Sequence, residues 1–123
     1  MLLVIDAGNT NTVFALYNGQ KLLHSWRCQS AAGRTADEYA SWLQPLFALE
    51  KLEFTAVSAV MAASVVPDAN FNLVNLCRRY FNCEAMFLGD PGVVYGIKVK
   101  GFGHFLHELV AAPFGSSRNP IFA

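Results

Sequence analysis

The chain opens on Leu2-Leu3-Val4-Ile5, a continuous apolar run halted by Asp6. A strand exposed on one side alternates apolar and polar residues, whereas an unbroken run fits a central strand covered on both faces. That one segment therefore predicts a buried central strand at the start of the chain. Gly8-Asn9-Thr10-Asn11 then forms a turn, and Thr12 to Tyr17, rich in β-branched and aromatic residues, supplies a second strand. Asn18-Gly19 is a hairpin signal, so Lys21 to Arg27 returns as a third strand and completes a meander.

Helical signals follow. Thr35-Ala36-Asp37-Glu38 has the form of a capping box, and Tyr39, Trp42, Leu43, Leu46 and Phe47 recur at helical spacing behind it. Pro45 is expected to kink this helix or end it early, because proline removes an amide donor and crowds the preceding turn. Residues 56–66 are small and β-branched, as in a buried fourth strand. Pro67 suits the first turn of a second helix carrying Phe71, Val74, Leu76, Cys77, Tyr80 and Phe81, and Glu84 to Leu88 gives a short fifth strand. The order βββαβαβ predicts an α/β domain, a mixed five-stranded sheet with helices, the arrangement of a ribonuclease-H-like or actin-like ATPase domain.

Composition narrows the function. Nine basic and nine acidic side chains give a formal net charge of zero, so no field favours nucleic acid or an anionic membrane. No apolar run reaches the roughly 18 residues of a membrane-spanning helix, and Asp6 interrupts the start before it could act as a signal segment. A cytoplasmic location is expected. Apolar residues make up 54% of the chain and charged ones 15%, against about a quarter charged in ordinary soluble domains, so some apolar surface is expected to meet a partner. Cys28, Cys77 and Cys83 lack metal-ligand spacing and read as buried thiols. His24, His104 and His107 have no recurring acidic or cysteine partner and are not assigned to a metal.

The chemistry-bearing stretch is Asp6-Ala7-Gly8-Asn9-Thr10-Asn11-Thr12, where a buried strand turns over into the next. A carboxylate at the end of a strand can face a metal ion or its waters. Glycine lets the backbone approach an anion, and Asn and Thr side chains can donate to phosphate oxygens. No GxxxxGK[ST] sequence is present, so the phosphates are expected against a hairpin turn and not in a P-loop. A turn that merely favours Gly, Asn and Thr would look the same in isolation.

Further segments separate the two readings. Arg34-Thr35-Ala36-Asp37-Glu38-Tyr39, Ser64-Val65-Val66-Pro67, and Gly92-Val93 with Gly96-Ile97-Lys98-Val99 accompany the first motif. Over about residues 1–99 the combination resembles the type III pantothenate kinases, bacterial enzymes that phosphorylate pantothenate with ATP at the first step of coenzyme A synthesis. The resemblance implies that Asp6 faces Mg2+ and the nucleotide while Gly8, Asn9, Thr10 and Asn11 wrap the phosphates, within a binding stretch running from Asp6 through Ala7 to Thr12. It also implies a homodimer of two-domain subunits and a monovalent cation, K+ or NH4+. A non-catalytic nucleotide-binding or regulatory module is the alternative, since the family includes a protein first described as an accessory factor for transcription. A sugar kinase or other actin-like ATPase fragment is the third reading.

Beyond Val99 the family pattern would bring an Asn-Pro segment and then Gly-Ala-Asp-Arg, whose aspartate serves as general base. Here Lys100-Gly101-Phe102-Gly103-His104 follows instead. Residues 1–99 are thus expected to form the actin-like N-terminal domain, with residues 100–123 a divergent tail arising from a frameshift, a truncation or a natural short variant. No catalytic residue is expected in this chain. Tyr95 and Lys98 read as a packed tyrosine and a solvated lysine.

Overall fold

The structure, a computed structural model, describes residues 1–88. Five strands, β1 (Leu2–Ala7), β2 (Asn11–Asn18), β3 (Lys21–Gln29), β4 (Ala59–Ser64) and β5 (Ala85–Phe87), are interleaved with helices α1 (Ala36–Leu49) and α2 (Pro67–Leu76). They form one sheet in the order β3-β2-β1-β4-β5. β1 pairs antiparallel with β2 and parallel with β4, so the direction of the ladder reverses across the central strand. The predicted βββαβαβ order and mixed five-stranded sheet are what is found.

Leu3, Val4 and Ile5 are all fully buried, as the opening apolar run requires. Alternation along the strand divides them. Leu3, Ile5 and Ala7 join Phe14, Leu16, Val60 and Ala62 beneath Tyr39, Leu43 and Phe47 of α1 and Leu73 and Leu76 of α2. Val4 belongs to a smaller cluster on the opposite face with Val13, Ala15, Tyr17 and Leu22. Phe47 is the hub of the larger cluster, with ring centroids 4.9 Å from Trp26, 5.0 Å from Phe54 and 6.3 Å from Phe81.

α1 begins where the capping box placed it. The Glu38 amide donates to Thr35 Oγ1 at 3.2 Å while the Thr35 amide donates to Glu38 Oε1 at 3.0 Å. The expected break at Pro45 does not occur, and the helix continues to Leu49. Pro45 and Ser41, whose carbonyl loses its amide partner, both lie on the exposed side, where water can replace the missing bond.

The second helix differs from its sequence pattern. α-Helical bonding stops at Leu76, and Cys77–Phe81 forms a single wider π turn closed by Asn82 in the left-handed region at φ 55°. Asn tolerates that conformation better than most residues. The fourth strand is shorter than expected, because Phe54–Ala56 form a 3-10 turn and β4 starts at Ala59. β1 is longer, so Asp6 lies inside the strand, one residue before its end.

Candidate phosphate site at the β1 to β2 turn

Strand alternation fixes which side chains share a surface. Asp6 lies between Ile5 and Ala7, both on the helix-covered face, so its half-buried carboxylate projects from the other face with Val4. Across the sheet Asp6 is in register with Val13 on one side and Ala63 on the other, and Val13 is in register with Arg27. Arg27 stands between Trp26 and Cys28, which pack on the helix side, and so shares the face of Asp6 and Val13. A row Ala63, Asp6, Val13, Arg27 therefore crosses four strands with a carboxylate and a guanidinium separated by one small apolar residue.

At the end of this row is a cavity of about 230 Å3 lined by Gly8, Asn9, Thr10, Asn11, Val13 and Arg27. Four of the seven residues singled out in the sequence, Gly8 to Asn11, thus line one space with Arg27. Asn9 and Thr10 are exposed and Gly8 and Asn11 half-buried. Asp6 is not part of the lining; it lies two residues before Gly8 on β1, on the face that carries Val13 and Arg27. The volume lies below the roughly 300 to 1,000 Å3 of sites that engulf a whole drug-sized ligand.

The turn is held in one shape from below. The Gly8 amide donates to the Asn11 carbonyl at 3.0 Å. A Cβ on residue 8 would stand 3.0 Å from that same carbonyl oxygen, tight enough that the carbonyl would have to shift, so the close approach favours glycine. Thr12 is 2% exposed, and its hydroxyl lies 2.9 Å from Ser30 Oγ, which in turn donates to the Gly8 carbonyl. The Ser30 amide donates to the Thr10 carbonyl at 2.8 Å. Thr12 therefore faces the interior as a brace, and Ala7, 1% exposed, packs in the core.

Two neighbouring loops are tied to this scaffold. Arg34 donates to the Gln29 carbonyl and lies over the Tyr39 ring, 5.6 Å from its centroid, and Asn72 of α2 donates to the Ala32 carbonyl at 3.3 Å. On the β4 side the Val65 amide donates to the Ala7 carbonyl at 3.0 Å. Ser64 Oγ accepts from the Val66 amide and donates to the Val66 carbonyl, each at 3.1 Å. Arg34 also sits 3.2 Å from Cys28 Sγ, but burial outweighs the nearby cation and raises this thiol above its ordinary range.

Ser30 and Arg27 were not foreseen. Both reach the turn only through the register of β2 with β3, which neither residue type announces. Among the described residues no group of three His, Cys, Asp or Glu side chains could hold a metal ion, and no helix is long and apolar enough to cross a membrane. His24 pairs instead with Glu50 at 3.5 Å. The expectations for Tyr95, Lys98, His104, His107 and the tail 100–123 lie outside the described residues.

The family model described as type III pantothenate kinase matches residues 2–101. A type III pantothenate kinase of Hyphomonas neptunium is 47% identical over 100 residues, covering 81% of this chain and 39% of the relative. One from Paramagnetospirillum magneticum is 50% identical over 99 residues, covering 80% and 38%. One from Dinoroseobacter shibae is 38% identical over 134 residues, covering 95% of this chain and 52% of its own length. The chain thus spans between about two fifths and one half of these relatives. With the family model matched across nearly all of the described fold, this chain belongs to the type III pantothenate kinase family.

Proposed function

We propose that this chain supplies the phosphate-gripping part of a kinase that moves a phosphoryl group from ATP to a hydroxyl of pantothenate. The observation that carries the reading is the cavity beside the β1 to β2 turn, where Gly8, Asn9, Thr10 and Asn11 converge on a space sized for an anionic tail. Val13 and Arg27 of the row that crosses the sheet line it as well, and Asp6 is the next residue of that row. The relatives' names supply the substrate.

In such a transfer the pantothenate oxygen bonds to the γ-phosphorus, the bond to the β,γ-bridging oxygen breaks, and ADP leaves. The hydroxyl proton passes to a general base. None of the described residues is assigned that role. What this part of the chain contributes is position: the braced turn holds the backbone amides and the Asn9, Thr10 and Asn11 side chains at fixed places around the phosphates. Ala7 contributes through its backbone, and Thr12 through its bond to Ser30.

Mg2+ is bound through one or two carboxylates together with substrate phosphates, and a single half-buried carboxylate next to a phosphate turn fits that requirement. Asp6 is the residue that would hold it, directly or through water, and the ion would neutralise charge on the phosphates. A monovalent cation, K+ or NH4+, belongs to the same reading, without a site among the described residues. A homodimer in the cytoplasm completes it, with neither nucleic acid nor membrane as partner.

Calorimetric titration of the purified chain with ATP in the presence and absence of Mg2+ tests the proposal. Weak binding that strengthens with Mg2+, and loses that dependence in Asp6→Asn, is expected, with no phosphopantothenate formed by this chain alone. Binding indifferent to both Mg2+ and Asp6 would contradict it.

A further inference from the structure

Arg27 takes no part in the reading above, yet it lines the cavity from the strand opposite the turn. Its place is set by an irregularity in the sheet. From Asn11 to Leu16 of β2 the partners on β3 run from Gln29 to His24, but Tyr17 pairs with Leu22, so Leu23 is an extra residue without an opposite number. Continued without that bulge from the hairpin end, the register would set Trp26 opposite Val13 and send Arg27 to the helix-covered face. The bulge returns Trp26 to its stack on Phe47 and brings Arg27 to the cavity.

We infer that Arg27 binds the anionic ligand of this cavity, holding the polyphosphate chain from the side opposite Asp6. This rests on the phosphate-site reading of the turn and adds a cation to it. Asp6 and Arg27 lie two strands apart, about 10 Å between backbones, with Val13 at the register position between them. A phosphate chain seated in the cavity would meet the guanidinium on its β3 side. A guanidinium offers paired donors matched to phosphate oxygens, and an exposed arginine beside neutral Asn and Thr donors is the only cationic side chain among the lining residues. The inference assigns Arg27 a binding role, with no proton transfer.

Inorganic tripolyphosphate with Mg2+ is the probe, with adenosine as a control that lacks phosphate. Wild type, Arg27→Gln and Arg27→Lys, each as the full 123-residue chain, are titrated at low and high salt. Arg27→Gln is expected to weaken tripolyphosphate binding about tenfold and to flatten its salt dependence, with Arg27→Lys recovering part of both and adenosine unchanged. Because Arg27 is exposed, melting temperatures should agree within about 2 °C. Equal affinity in wild type and Arg27→Gln would overturn the role of Arg27 and leave the turn's role standing. Arg27→Lys no better than Arg27→Gln, with an unchanged salt dependence in both, would also overturn it. Failure of the wild type itself to bind tripolyphosphate would overturn the phosphate reading of the cavity and this inference with it.

Discussion

Replacing Gly8 by alanine is expected to damage the site and the fold together, in a proportion the geometry fixes. The new methyl would lie 3.0 Å from the Asn11 carbonyl oxygen, the acceptor of residue 8's own amide. Relief requires the carbonyl to retreat by a few tenths of an ångström. Its movement is opposed, because Thr12, the next residue, is anchored to Ser30 and the Ser30 amide holds the Thr10 carbonyl. Weakening one turn hydrogen bond costs about 1 kcal/mol and local overpacking about 1 to 3 kcal/mol, for a total of roughly 2 to 4 kcal/mol. For a domain of this size that lowers Tm by roughly 10 to 20 °C. Thermal and urea unfolding of wild type and Gly8→Ala measure the cost, and Mg2+-ATP titration at a temperature where both are folded measures the effect on the site. A variant as stable as wild type with unchanged affinity would refute the idea that close approach at Gly8 shapes the turn.

Other outcomes follow from the same coordinates. Thr12→Val and Ser30→Ala should each cost about 1 kcal/mol, with a double-mutant cycle showing coupling of the same order; additive losses would mean the hydroxyls act independently. Phe47→Ala should cost about 3 to 5 kcal/mol, since its buried ring contacts three others, whereas Phe71→Ser, at a position 73% exposed, should leave urea unfolding nearly unchanged. Glu38 is held below its ordinary carboxylate range by the Thr35 amide and hydroxyl. The stability it adds is therefore present above its unfolded pKa near 4.5 and lost as pH falls through the lower folded value; in Thr35→Ala, unfolding curves across that acidic window should lose this component. Burial pushes the Cys77 thiol up to about 12, so alkylation of the native protein should spare Cys77 until the chain unfolds, while half-buried Cys28 and Cys83 react sooner; peptide mass mapping distinguishes the order.

Much of this fold was legible because its signals are local. An apolar run with no alternation demanded a strand buried on both faces, and Leu3, Val4 and Ile5 are buried on both. The Thr35 and Glu38 pair marked the start of α1 because the two residues satisfy each other within one turn. What escaped the sequence depends on partners far along the chain. Apolar spacing continues through Cys77 and Phe81, so nothing in it announces that the bonding there widens into a π turn. Pro45 looked disruptive because its tolerance depends on which side of α1 faces water. In the site, Gly8 to Asn11 stood out by residue type, but Ser30 and Arg27 did not. The first is recruited by the antiparallel pairing of β2 with β3, and the second by a bulge at Leu23 that counting from the Asn18-Gly19 turn cannot supply.

The most direct test is a map of backbone amide chemical shifts in the 15N-labelled chain as Mg2+ and ADP are added. If the β1 to β2 turn cradles the nucleotide's phosphates, the largest changes fall on Gly8, Asn9, Thr10 and Asn11, and adenosine alone leaves those amides in place. Changes concentrated elsewhere in the sheet, with the four turn amides unmoved at saturation, would contradict the account.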